Sequence, residues 1–195
     1  MNKFDATFWK ERYNTNTTGW DIGHPTIPIQ KYIEQLADKS ISILIPGCGN
    51  AYEAELLHKL GFENITILDI TKQALENFSQ RVTSFPKEHL ICTDFFKHKG
   101  QYDLIIEHTF FCALDPKLRN DYKNKMHQLL NHNGKLVGLL FDFPLTEEGP
   151  PFGGSIEEYI ATFSKLFTIK SLKRAYNSIK PREGKELFAI FEKNT

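Results

Sequence analysis

The stretch Ile43-Leu-Ile-Pro-Gly47-Cys-Gly49-Asn-Ala51 is an apolar run that passes through two glycines into helix-forming sequence. A strand that enters a glycine-bearing turn and then a helix is the opening unit of a doubly wound α/β sheet. Gly47 and Gly49 would let the main chain turn sharply and approach a ligand, with free N–H groups of the helix start facing it. The same pattern also describes a plain βα turn, and the third glycine of the dinucleotide fingerprint is absent. Asp69 favours the ligand. It falls 20 residues past Gly49 at the end of the next apolar run, where a carboxylate can accept from both ribose hydroxyls. A nucleoside-bearing cofactor is the expectation.

Outward from this unit, short Ile- and Leu-rich runs at 41–46, 65–69, 89–93 and 102–107 alternate with helix-length segments at 51–60, 72–82 and 116–131. Such runs read as parallel strands buried on both faces. Asn133-Gly134 closes the third helix ahead of a fifth strand at 135–143. A helix at 155–166 and a hairpin of strands at 167–176 and 185–192 complete seven strands. Before the first strand, 6–13 and 29–37 read as amphipathic helices, while Gly23, Pro25 and Pro28 force 20–28 into irregular structure that can fold over the sheet as a lid. A length of 195 residues with 41% hydrophobic content suits a single domain, with 1–40 as helical lid and 41–195 as core.

Composition narrows the partners. Lys plus Arg and Asp plus Glu number 24 each, so no net charge draws the chain to nucleic acid or to an anionic membrane. No run reaches the roughly 20 apolar residues of a membrane-spanning helix, and the N-terminus lacks the apolar core of a secretory signal. Three cysteines without paired spacing point to a reducing cytoplasm. The expected partner is a small molecule, and the expected state a monomer. The seven histidines include no pair at metal-ligand spacing, so no metal is expected.

The other candidates lie where strands end. Asp94 and Phe95 follow the third strand, where Asp94 can accept from an adenine amino group and Phe95 can cover the ring; a helix N-cap and a core phenylalanine are the plainer alternative. Glu107, His108, Phe110 and Phe111 follow the fourth. His108 is read as a pocket residue in preference to an acid or base. Trp9, Tyr13 and Trp20 form an aromatic group outside the sheet that either packs the N-terminal helices or holds a cationic ligand, at about 0.5–2 kcal/mol per ring.

Four stretches carry a wider likeness: Phe8-Trp9 through Thr18-Gly-Trp-Asp-Ile-Gly-His-Pro25, then Pro46-Gly-Cys-Gly49, then Tyr102-Asp-Leu-Ile-Ile-Glu-His-Thr-Phe-Phe-Cys-Ala-Leu-Asp-Pro116, and Gly149-Pro-Pro-Phe152. With Lys180-Pro-Arg-Glu-Gly-Lys-Glu186, they make the chain resemble the thiopurine S-methyltransferase-like group, and within it the halide/thiol methyltransferases. The resemblance runs from about Phe8 to Phe191. It implies a class I methyltransferase fold, seven strands with the last antiparallel, and S-adenosyl-L-methionine across the carboxyl edge. By position it implies cofactor contacts at Trp9, Tyr13, Trp20, Gly47, Gly49, Asp69, Asp94, Phe95 and His108. Phe152 stands where plant halide/thiol enzymes typically have tyrosine, which weakens the halide assignment.

Methyl transfer to a thiolate or halide needs alignment and a poorly hydrated pocket, not a strong base. Phe110, Phe111 and Phe152 are the expected apolar wall, and Arg182 either draws in an anion or is a solvated surface charge. A thiol, thiopurine-like thiol, thiocyanate or halide is the expected acceptor. Another small molecule, a selenium or tellurium oxyanion, a cofactor-binding module without turnover, and a dinucleotide oxidoreductase are the rivals.

Overall fold

A computed structural model describes residues 3–194. Helices α1 (Ala6–Asn14) and α2 (Ile27–Ile33) precede strand β1 (Ile43–Pro46), helix α3 (Tyr52–Lys59), strand β2 (Ile65–Asp69), helix α4 (Lys72–Arg81) and strand β3 (Leu90–Cys92). Then come β4 (Tyr102–His108), α5 (Arg119–Leu129), β5 (Leu130–Phe141), α6 (Ile156–Phe163), β6 (Phe167–Arg174) and β7 (Glu186–Lys193). The seven strands form one sheet in the order β3-β2-β1-β4-β5-β7-β6. From β3 to β5 all neighbours are parallel; β7 pairs antiparallel with both β5 and β6, as the sequence implied.

Period-two alternation divides the core between the two faces. Ile43, Ile45, Leu104, Ile106, Val137 and Leu139 face one way, against α2, α3 and α4 through Ile33, Leu57 and Phe78. Leu44, Ile105, Leu136 and Leu140 face the other way, against α5 and α6 through Tyr122, Met126 and Phe163. β1 is buried at every residue, which is why its sequence is unbroken aliphatic up to Pro46. Local chemistry sets the helix starts: Asp5 accepts from the N–H groups of Thr7 and Phe8 at α1, and Ser155 accepts from that of Glu158 at α6.

Several boundaries differ from the sequence reading, two of them for a clear physical reason. α2 begins at Ile27, not 29, because Pro28 lies in its first turn, where a fixed φ and a missing N–H cost nothing. The helix expected to run to 131 gives way to β5 already at Leu130. Asn133, at φ 59°, does adopt the left-handed conformation that Asn-Gly favours, but inside a strand. There β5 bulges, pairing Leu130 with Tyr102 and then Lys135 with Leu104. A side chain at Gly134 would meet the Asn131 carbonyl at 2.9 Å and that of Tyr102 at 3.0 Å.

Phe163 is fully buried and stacks on Phe191 with centroids 4.6 Å apart. Phe163→Ala should therefore cost about 3–5 kcal/mol in urea unfolding, whereas Tyr176→Ala, at a residue 92% exposed, should stay within about 0.5 kcal/mol. Equal effects would contradict this packing.

Candidate active site

The parallel strands all end at one edge, and a cavity of about 1030 Å³ opens there. Between β1 and α3 the chain turns through three left-handed residues, Gly47, Gly49 and Ala51, at φ 56°, 53° and 52°. A side chain on Gly47 would collide with the edge of the Phe110 ring. Gly47 thus makes room for a phenylalanine, a use the sequence does not announce. The loop N–H groups are also committed within the protein: Cys48 donates to the Leu68 carbonyl, Ala51 to that of Cys48, and Gly49 to Asp69 Oδ2 at 3.1 Å. These three loop N–H groups are therefore not free for a ligand.

Asp69 binds the loop to β2. Its Oδ1 accepts from the Thr71 N–H at 2.8 Å and hydroxyl at 2.7 Å. Burial pushes its carboxyl up from the usual range, and these hydrogen bonds pull it back. A carboxylate offers roughly four acceptor positions, so Oδ2, taken once by Gly49, retains capacity toward the cavity. Beyond β3, Asp94 accepts from the Phe96 N–H at 2.9 Å and caps a short 3-10 turn, while Phe95 is buried edge-on to Phe110. Both still line the cavity, so the plain and the functional readings hold together.

After β4, Glu107 Oε1 accepts from the N–H groups of Phe110 and Phe111 at 2.8 and 2.6 Å. Glu107 is 1% exposed, and its Oε2 has no partner among the described residues. Burial drives its carboxyl up to about 7, against those two hydrogen bonds, and the nearby Glu186 adds to the rise. The turn directs Phe110 to the cavity but Phe111 into the core, against Tyr122, Tyr159 and Phe163. Phe111 as a pocket wall is therefore corrected. Phe152 is also withdrawn from the cavity lining: its buried ring meets Phe4 edge-on at 5.6 Å, and Phe4, Pro150 and Pro151 form the wall instead.

Trp9 and Tyr13 approach Trp20 edge-on, with centroids at 5.4 and 5.7 Å, and all three line the cavity over Gly49. Arg182, buried, lines it too, so it is not a solvated surface charge. His108 lies beside it, facing a small side cavity of about 40 Å³ and not the main one. Burial, with Arg182 adjacent, holds its imidazole down at about 3. His108 is neutral at ordinary pH.

Several lining residues escaped the sequence reading. Phe4, Asp5 and Arg12 belong with Trp9 and Tyr13, and the helical spacing from 5 through 9 and 12 to 16 was the available signal. Phe141 ends β5 and Phe143 follows it, where the carboxyl-edge rule would have found them. Lys185 lies in the Lys180–Glu186 stretch that carries the resemblance, but nothing in that stretch distinguished it from Lys180. Among the described residues no group of three His, Cys, Asp or Glu is arranged to hold a metal ion, and no helix is long and apolar enough to cross a membrane.

The sequence profile of the thiopurine S-methyltransferase family matches residues 4–194. A probable thiol methyltransferase 2 of Arabidopsis thaliana is 29% identical over 201 residues, covering 100% of this chain and 88% of the relative. A thiopurine S-methyltransferase of Acinetobacter baylyi is 25% identical, covering 85% and 87%. Among solved structures, the 1,6-didemethyltoxoflavin-N1-methyltransferase of Burkholderia thailandensis with S-adenosylhomocysteine superposes with TM-score 0.79 at 14% identity, over 97% of this chain and 87% of that one. A TehB-like methyltransferase of Corynebacterium glutamicum gives 0.65 at 16%, over 96% and 97%.

Glu107 generates a pH prediction. Its folded pKa, about 7, lies above the unfolded value of 4.5, so its contribution is whole below about pH 4.5 and is lost as pH rises through about 7. The loss is of the order of 3 kcal/mol. Glu107→Gln keeps an acceptor for Phe110 and Phe111 but does not titrate, so its melting temperature relative to wild type should rise between about pH 5 and about pH 8. A constant difference across that range would contradict the buried, proton-holding carboxyl.

Proposed function

The chain belongs to the thiopurine S-methyltransferase family, matched over residues 4–194, and on that footing we propose that it methylates a small soft anion, a thiol ahead of a halide. It is an S-adenosylmethionine-dependent methyltransferase. The observation that carries the acceptor class is the division of the cavity along the sheet edge. Asp69 and Asp94 stand at β2 and β3, Gly47 and Phe110 at β1 and β4, and Arg182 and Lys185 beside the β5 end and the β7 start. Acidic acceptors at one end suit a nucleoside, and cations at the other suit an anion.

The residues fit the cofactor. Asp69 Oδ2 keeps acceptor capacity for a ribose hydroxyl, with Asp94 and Phe95 on the same side for adenine, and Trp9, Tyr13 and Trp20 offer ring surfaces to a positive charge. Bound S-adenosylmethionine supplies an electrophilic methyl group on a sulfonium. Arg182 and Lys185 attract the anionic acceptor, and Phe4, Phe141, Phe143 and Pro151 exclude water from it. Alignment of this kind can contribute up to about 7–11 kcal/mol. His108 does not serve as base, because its Nε2 lone pair faces Arg182 Nη1 at 2.8 Å. An anion needs none.

Size supports the preference. Binding sites run to roughly 300–1,000 Å³, and this cavity, at about 1030 Å³, leaves room beside a nucleoside for an acceptor larger than one ion. Phe152 bears less on halides than the sequence suggested, since it lies behind the wall.

Asp69→Ala should weaken calorimetric binding of S-adenosylhomocysteine by about 10- to 100-fold, as loss of a charge-assisted hydrogen bond does. Wild-type affinity would remove Asp69 from the site. In competition, the best of a panel of small thiols should exceed iodide and chloride in kcat/KM by more than tenfold, or about 1.4 kcal/mol; chloride turnover equal to that thiol's would overturn the acceptor class.

A further inference from the structure

Arg182 is fixed on several sides. Nη2 donates to the Trp20 carbonyl at 2.9 Å, Nη1 lies 2.8 Å from His108 Nε2, and Glu186 Oε1 is 3.6 Å from Nη1. A guanidinium has no acceptor, so in the His108 contact Arg182 must be the donor and Nε2 the acceptor. A neutral imidazole that accepts at Nε2 carries its proton on Nδ1. That nitrogen faces Glu53 Oε1 at 3.6 Å. Glu53, buried on α3, is itself placed by the Thr26 N–H, which donates to the same oxygen at 3.0 Å. Arg182 and His24 are the cationic or titratable groups that oppose the effect of burial on Glu53.

We infer that His108 and Glu53 are positioning residues, which hold the Arg182 guanidinium at the cavity wall so that it favours the ionised form of an acceptor thiol. The inference rests on the reading that an anionic acceptor meets Arg182. The thiol releases its proton to solvent, so the chain needs no proton acceptor. An opposite charge within about 4–6 Å lowers an acid's pKa by roughly 1–3 units, but only while it stays there. His108 suits this task because it remains neutral. A protonated imidazole would have donors on both nitrogens and would repel the guanidinium.

The same contacts join parts of the chain far apart in sequence. Arg182 holds the carbonyl of Trp20, and Glu53 holds the N–H of Thr26, so the segment between them is attached at one end to the turn before β7 and at the other to α3. His108 is the bridge between these two attachments.

The test uses the full-length enzyme with benzyl mercaptan as acceptor, and follows kcat against pH. His108→Leu removes the acceptor for Arg182, whereas His108→Gln offers an amide oxygen near the Nε2 position. His108→Leu should move the profile midpoint upward by about one unit, and His108→Gln should restore it. A residue that only packs the site would scale kcat without moving the midpoint. Arg182→Gln separates the two claims. If it shifts the midpoint while His108→Leu does not, the positioning role is overturned and the anion site stands. If neither shifts it, both fall.

Wild-type protein labelled with ¹⁵N-histidine gives a readout independent of turnover and of whether the variants fold. His108 should show the Nδ1–H tautomer and no titration from about pH 5 to about pH 8. An Nε2–H tautomer, or an ordinary titration in that range, would overturn the inference even in the absence of turnover.

Discussion

Five neighbouring strands run the same way, and this constraint places the candidate site residues that follow β1 to β4. Crossovers between parallel strands must be long and right-handed, so each strand returns to the same side before the next begins. Loops that leave the carboxyl ends therefore meet along one edge. Gly47, Asp69, Asp94 and Phe110 are distant in sequence and share that edge because β1, β2, β3 and β4 lie side by side. The antiparallel β7 then brings the segment before its start to the same edge, and with it Arg182 and Lys185. A parallel seventh strand would have carried them to the far side.

The edge is held by buried carboxylates used as scaffolding. Asp69 joins the glycine loop to the end of β2 through Gly49 and Thr71, and Glu107 closes the turn after β4 through Phe110 and Phe111. Burying such groups is costly unless they are hydrogen-bonded. Here each accepts from backbone N–H groups that a helix or sheet would otherwise satisfy. Glu107 meets part of the cost by holding its proton more strongly. What is gained is a fixed direction for Phe110, whose ring fills the space that a side chain at Gly47 would need. The loop and the turn are thus built as one unit.

The fold was legible because period and punctuation agreed. The aliphatic runs at β1, β2 and β4 could be read as doubly buried strands, and Gly47, Gly49 and Asp69 marked the edge. Boundaries failed where one residue type serves two structures: Asn133-Gly134 suits a helix end and a strand bulge equally, and Pro28 suits a break and a first helical turn. In the site, residue type and position offered Asp94, Phe95 and Arg182 beside plainer alternatives, and all three line the cavity. Those cues did not suffice for Phe110 and Phe111, adjacent residues with opposite directions, since the direction is set by hydrogen bonds to Glu107 from 3 and 4 residues away. Nor could sequence show His108 turned toward Glu53 and Arg182, which are separated from it by 55 and 74 positions.

The electrostatics of this site run against the sheet's own symmetry. Along the sheet edge Asp69 and Asp94 stand at one end of the cavity and Arg182 and Lys185 at the other, with aromatic and aliphatic groups between them, while the N-terminal segment adds one charge of each sign, Asp5 and Arg12. Arg182 faces Glu186 and lies near Glu53, carboxyls that burial biases toward the neutral state, so its charge is incompletely compensated from within. His108, neutral, adds nothing to either sign. On the function proposed above, a methyl acceptor that arrives with negative charge completes this arrangement, whereas a neutral amine or hydroxyl brings no charge to answer Arg182.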